Sequence, residues 1–196
     1  MVPDHKVFPQ DFEGEYLLDK PLRYLSDISL GAISLQNASE GLDYQPWQLR
    51  VESDTLVLEA LTTGEKHIIS TGLKDVERVT LSFDFNMNYA YTYRIASVDF
   101  LVYYNSVINK YTTLELTDSR DACLVFDGNI GVSNSDSDIL LVYIRLTDNM
   151  LVYRLLRDRY TVEQELYQLT PEDSLISVGM TTKYRLRFKI KTQEKT

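Results

Sequence analysis

Short segments in which apolar and polar residues alternate recur from residue 47 almost to the C-terminus. In WQLRVES, Trp47, Leu49 and Val51 fall on one side of an extended chain and the polar residues between them on the other. This period of two is typical of a β-strand with one buried face. The segments are short, rich in aromatic and β-branched residues, and bounded by Asn, Asp, Ser and Gly, which argues against helices. The pattern predicts an all-β protein.

The predicted strands form three successive groups, at about residues 44–71, 75–117 and 120–167. A Leu-Val phrase occurs in each group, and its corresponding copies at residues 56–58, 101–103 and 151–153 begin 45 and 50 residues apart. A period of this length with up to four strands per unit is typical of propeller blades. We therefore expect three propeller-blade-like antiparallel repeats. Three is fewer than the ~4 to 8 blades of a closed ring, so an incomplete or small β-propeller is predicted.

The two ends of the chain differ from these repeats. Residues 1–43 contain three of the five prolines and no clear period, which predicts an extended N-terminal arm. After residue 168 we expect a linker, then a single amphipathic strand at 183–190 and a flexible tail at 191–196. That strand either pairs with the first repeat to seal a ring or adds to the sheet edge of a partner.

The charge is uneven along the chain. The net charge is −9, yet residues 183–196 contain six basic side chains and one acidic one. An acidic surface repels phosphates, which argues against nucleic acid as a partner. The basic end predicts contact with an acidic neighbour, including another copy of the chain, although a solvated strand face would look the same.

The residues that most often carry chemistry are sparse. Cys123 and Trp47 each lie in strand patterns that predict a core position, and the two histidines have no second ligand at zinc spacing. The loop at 127–138 offers Asp127, Asn129, Asp136 and Asp138 as possible calcium ligands, but its spacing fits a plain polar loop better. We predict no cofactor, no metal and no enzymatic activity.

The sequence also bears on location. No apolar run approaches the ~20 residues of a membrane span, so no membrane insertion is expected. The N-terminus has neither the basic start nor the apolar stretch of a signal peptide. The single cysteine is consistent with folding in a reducing cytoplasm.

The most distinctive charged feature is the sequence Arg157-Asp158-Arg159, which follows the third Leu-Val phrase. Arginine and tyrosine are favoured anchors of protein interfaces, whereas a hairpin turn with its charges in water is the alternative. Together with the basic strand, this feature defines the candidate interface residues. They are Tyr153, Arg154, Arg157, Asp158, Arg159, Arg185, Arg187 and Lys189.

Three stretches resemble a family of tailed-bacteriophage virion proteins. They are SDSDILLVYIRLTDNMLVYRLLRDRYTVEQEL at 135–166, ISLQNASEGLDYQPWQLR at 33–50 and the C-terminal YRLRFKI. The resemblance implies a structural component of the tail, baseplate or fibre-attachment region with a β-propeller-like body. It implies no catalytic residues.

On this resemblance we expect a non-enzymatic connector between tail or baseplate and fibre proteins, present in several copies. It would be assembled in the host cytoplasm and reside in the virion tail. The alternative is a carbohydrate-binding module at the tail tip, in which exposed tyrosine rings stack on sugars. A glycan-cleaving enzyme is a third option, although no pair of acids stands out in the sequence.

Overall fold

The chain forms an all-β structure. A computed structural model describes residues 25–26, 29–31, 45–127, 137–180 and 186–192, and these ranges contain 14 strands and no helix. Accordingly, none of the described segments is a helix long and apolar enough to cross a membrane. The predicted fold class is confirmed at this level.

The strands form four antiparallel sheets in which neighbours in sequence are neighbours in space. Sheet 1 consists of β1 (Ser29–Gly31), β2 (Gln45–Glu52), β3 (Thr55–Ala60) and β4 (Lys66–Thr71). Sheet 2 consists of β5 (Arg78–Phe83), β6 (Tyr89–Ile95), β7 (Val98–Asn105) and β8 (Lys110–Leu116). Sheet 3 consists of β9 (Ser119–Asp127), β10 (Asp138–Arg145), β11 (Met150–Leu155) and β12 (Glu163–Gln168). Sheet 4 consists of β13 (Ser174–Met180) and β14 (Leu186–Lys191).

The recurring Leu-Val phrase has the same place in each complete sheet. Residues 56–58, 101–103 and 151–153 all lie on the third strand, in β3, β7 and β11. Its leucines are buried because they face neighbouring sheets. The phrase therefore marks the third strand of each of the three four-stranded sheets.

The sheets stack face to face in sequence order. Three hydrophobic clusters lie between sheets 1 and 2, sheets 2 and 3, and sheets 3 and 4. Trp47 in β2 stacks on Phe83 in β5 at the first interface, with ring centroids 6.2 Å apart, so the tryptophan is core as predicted. The first strands of successive sheets, β1, β5, β9 and β13, are also neighbours. Within the described residues the stack does not close into a complete propeller.

The ends of the chain depart from expectation. Residues 29–31, in the predicted arm, pair with β2 as the first strand of sheet 1. The predicted linker contains β13, and the strand near the C-terminus pairs with β13 rather than standing alone or sealing a ring with the first repeat. A register shift between Leu175 and Ser177 breaks the period of β13, which explains why its sequence does not look like a strand.

Candidate interaction site

The turn that carries Arg157-Asp158-Arg159 joins β11 to β12 and is anchored by one buried carboxylate. Asp138, at the start of β10, accepts hydrogen bonds from the backbone N–H groups of Leu156 and Arg157 at 3.0 and 3.3 Å. The guanidinium Nε of Arg157 donates to the same carboxylate, although 55% of the arginine side chain is exposed. Arg159 is exposed as well, while Asp158 is half-buried. The turn therefore presents arginines to solvent on a fixed backbone.

The alternating sequence RYTVEQEL at 159–166 is typical of a strand that begins at residue 159, but Tyr160 lies in a turn. Arg159 and Tyr160 have φ angles of 52° and 55°, and this left-handed pair turns the tyrosine inward. Its ring is buried and lies edge-on to Tyr103 of β7, with centroids 5.3 Å apart. Strand β12 consequently begins at Glu163 instead of residue 159. The period of two did not reveal this turn, because a buried tyrosine at position 160 fits the alternating pattern whether it lies in a strand or in a turn.

Sheet 2 has a turn built in the same way 50 residues earlier. Asn88, which precedes β6, accepts a hydrogen bond from the backbone N–H of Ser106 at 2.8 Å, as Asp138 does from Leu156. Here the exposed tip consists of Val107 and Ile108, whose exposed fractions are 88% and 61%. Sheets 2 and 3 thus share the support of this turn and differ at its tip.

Tyr153 and Arg154 are adjacent on β11 and face opposite sides of sheet 3. Arg154 is on the side of sheet 2, where its guanidinium is 3.0 Å from the Glu163 carboxylate and 5.3 Å from the centre of the Tyr143 ring. Tyr153 is half-buried on the side of sheet 4. Arg154 is therefore tied into sheet 3, and of this pair only Tyr153 is placed to contribute to a surface beside sheet 4.

Glu163 is the centre of a polar cluster on β10, β11 and β12 of sheet 3. It accepts hydrogen bonds from the Tyr143 hydroxyl and from the guanidinium groups of Arg145 and Arg154. Burial raises the pKa of Glu163, but these hydrogen bonds outweigh it and hold the pKa below its usual value. A small polar pocket of about 180 Å³ adjoins the cluster, with Glu115 among its other lining residues.

The basic strand β14 has a clear division between its two faces. Leu186, Phe188 and Ile190 are half-buried and pack towards the apolar cluster between sheets 3 and 4. Arg187 and Lys189 alternate with them and are exposed, as the period predicted. Arg185, the remaining candidate, lies outside the described residues.

A cleft of about 810 Å³ runs beside the first strands of sheets 2, 3 and 4 and reaches residues 25–26. Arg78 of β5 crosses it: its guanidinium lies 3.3 Å from the Asp121 carboxylate of β9, and donates to the carbonyl oxygens of Leu175 and Ile176 in β13 at 3.1 and 3.0 Å. It also lies 2.7 Å from the sulfur of Cys123, which is buried in the core as predicted. This network was not predicted.

Arg94 of β6 completes that network. It binds Asp99 through two hydrogen bonds of 2.8 and 2.7 Å and approaches Asp121 at 3.4 Å. Burial lowers the pKa of the Arg94 guanidinium, but the two carboxylates raise it above its usual value. The one sequence feature that could have indicated this network is the presence of charged residues at inward-facing positions of strands. The shared partner Asp121 is 27 residues from Arg94 and 43 residues from Arg78, beyond the reach of local patterns.

The loop proposed for calcium lies mostly outside the described residues. Of its candidate ligands, Asp138 binds Arg157 and three backbone N–H groups, so its oxygens are already used. The described parts of the chain contain no group of three or more His, Cys, Asp or Glu side chains suited to a metal ion.

Comparison with models of known protein families finds none that matches the chain, and comparison with curated proteins finds no significant match. The resemblance to virion proteins therefore stays a prediction.

Proposed function

We propose that this protein is a structural component of a bacteriophage tail that connects tail or baseplate proteins to fibre proteins. In this proposal, sheets 1 to 3 are propeller-like blades and sheet 4 is half a blade, so that the chain forms an open arc. The stretch that most resembles virion proteins, residues 135–166, includes β10 and β11 and most of β12. That resemblance and the open end of the stack support the proposal.

The main support for the connector function is that sheets 2, 3 and 4 are linked by side chains, whereas sheet 4 has an edge at which another strand can be added. Arg78 and Asp121 join sheets 2 and 3, and Arg78 also binds the backbone of sheet 4, so three sheets are held together along their first strands. In the part of the chain that the structure describes, the stack then ends in a two-stranded sheet whose last strand displays Arg187 and Lys189. A rigid body with an open edge is suited to joining proteins.

Purified virions of the phage that encodes the chain test this proposal. The chain should be found in washed particles by mass spectrometry, in a fixed ratio to the tail proteins, and antibodies against it should label the tail. Its absence from intact particles, with the protein recovered only from the soluble lysate, would rule out a virion component.

Two observations favour the carbohydrate-binding alternative. Tyr111 and Tyr167 expose 51% and 64% of their surface, and exposed tyrosine rings can stack on sugars. The pocket beside Glu163 adds carboxylates that could accept hydrogen bonds from sugar hydroxyls. A monomeric protein that binds defined glycans on an array, and loses that binding on Tyr167→Ala, would support this alternative over the connector.

A further inference from the structure

Sheet 4 leaves part of sheet 3 uncovered. On the side of sheet 3 that faces sheet 4, the apolar residues of β10 are buried, whereas Tyr153 on β11 is only half-buried. Tyr167 on β12 is paired with Leu151, so both side chains lie on this same face. Leu151 is fully buried and Tyr167 is 64% exposed. Exposure thus increases outward, because sheet 4 has two strands where sheet 3 has four.

The outer edge of β14 lies next to this uncovered surface. Among the described residues, β14 pairs with β13 on one side and with no strand on the other. Alternate residues of such an edge direct backbone N–H and C=O groups outward, where they can pair with another strand. Among the described residues the outer edges of β4, β8 and β12 are unpaired as well, but each of these strands belongs to a sheet of four strands rather than two.

We propose that β14 binds an extended acidic strand of another protein, which continues sheet 4. The charges of β14 argue for acidic residues in the partner: Arg187, Lys189 and Lys191 are exposed on one face and no acidic residue occurs in the strand. The other face of the added strand would meet Tyr153 and Tyr167 and must be apolar. The partner strand therefore alternates acidic with apolar residues.

A second copy of this chain is a poor occupant of the edge. If two β14 strands paired, Arg187, Lys189 and Lys191 of one copy would face the same residues of the other. Like charges on directly paired strands are destabilising. This inference rests on the proposed connector function only for the nature of the partner, which is a different protein of the virion.

An NMR titration of the full-length, ¹⁵N-labelled chain tests the proposal with synthetic peptides. One eight-residue peptide alternates Val with Glu, and its control alternates Val with Lys. The Val-Glu peptide should shift the amide signals of residues 186–191 and slow their hydrogen exchange. Added NaCl should weaken the binding of this peptide, because salt screens the attraction between its carboxylates and the basic side chains. The Val-Lys peptide should do neither.

Charge reversal on the exposed face of β14 sharpens the test. Arg187→Glu with Lys189→Glu should weaken binding of the Val-Glu peptide at least about tenfold, because each change replaces an attraction by a repulsion. The variant should then bind the Val-Lys peptide. The control Lys74→Glu with Lys110→Glu makes the same change of charge at exposed positions elsewhere and should leave both results unchanged.

Four results would overturn the proposal: no shifts at residues 186–191, equal binding of both peptides, β14 amides already protected in the isolated monomer, or concentration-dependent self-association through β14. Protection in the monomer would mean that the chain covers its own edge, and self-association would identify a second copy. If the Val-Glu peptide binds as expected but the chain is absent from virions, the strand site stands and the connector function fails.

Discussion

The guanidinium of Arg78 lies 3.3 Å from the carboxylate of Asp121, and this ion pair joins the first strand of sheet 2 to the first strand of sheet 3. The other oxygen of Asp121 accepts a hydrogen bond from the backbone N–H of Leu175 in sheet 4, at 3.1 Å. One carboxylate thus contacts three sheets. Because its side chain is only 14% exposed, the contact is shielded from water.

Asp121→Asn should destabilise the protein by about 1 to 3 kcal/mol, because it removes the negative charge that faces Arg78 and Arg94. Urea unfolding measures the change. Asp54→Asn, at an exposed turn position, is the matched control and should change stability by less than about 0.5 kcal/mol. Equal stability of the two variants would show that the network does not hold the sheets together.

Tyr160→Phe should leave stability unchanged or raise it by up to about 1 kcal/mol. The Tyr160 hydroxyl is buried without a hydrogen-bond partner among the described groups, and an unsatisfied polar group is costly to bury. Tyr143→Phe is the contrasting variant, because it removes the hydrogen bond to Glu163 and should cost about 0.5 to 1.5 kcal/mol. The midpoints of thermal unfolding of the two variants, compared with the wild type, measure both effects. A clear loss of stability in Tyr160→Phe would mean that its hydroxyl has a partner.

Glu163→Gln should destabilise the protein at neutral pH and have progressively less effect in acid. Since the folded-state pKa of Glu163 is below its usual value of 4.5, its stabilising contribution is complete above that value and is lost as pH falls through the folded pKa. The difference between wild type and variant, measured by urea unfolding from pH 7 to pH 3, should therefore shrink towards low pH. Glu77→Gln, at an exposed glutamate, should show no such trend. A constant difference for Glu163→Gln would contradict the assignment.

Ser97→Gly should stabilise the hairpin between β6 and β7 by about 0.5 to 1 kcal/mol. Ala96 and Ser97 form its two-residue turn with φ angles of 48° and 66°, which residues with a Cβ atom adopt only at a cost. Ser70→Gly, inside β4, should destabilise instead, because glycine weakens a strand interior. The midpoint of thermal unfolding compares the two, and a decrease for Ser97→Gly would show that this turn is not strained.

Local patterns were sufficient for most of the strands, since the strand period is determined by neighbours in sequence. Local patterns were insufficient where tertiary contacts determine the conformation of a segment. Tyr160 is drawn into the core by Tyr103, and β13 is hidden by the register shift after Leu175. The ion pair of Arg78 and Asp121 depends on how two sheets stack, which no local pattern contains.

The same distinction applies to the candidate interface residues: local patterns predicted the placement of some of them and not of others. The exposure of Arg187 and Lys189 followed from alternation alone, and the correspondence of the turns near residues 107 and 157 followed from the repeat. The sequence could not show that Arg154 is bound by Glu163, or that sheet 4 has two strands within the described residues. Both depend on pairing between distant segments.

The most direct test of the connector account is the mass of the complexes that the chain forms. Light scattering should be recorded for the purified 22.7 kDa chain alone and mixed with each structural protein of the same tail. The account predicts a stable complex with at least one of them that is lost in the Arg187→Glu, Lys189→Glu variant and kept in the Lys74→Glu, Lys110→Glu variant. A chain that stays at its monomer mass in every mixture would contradict it.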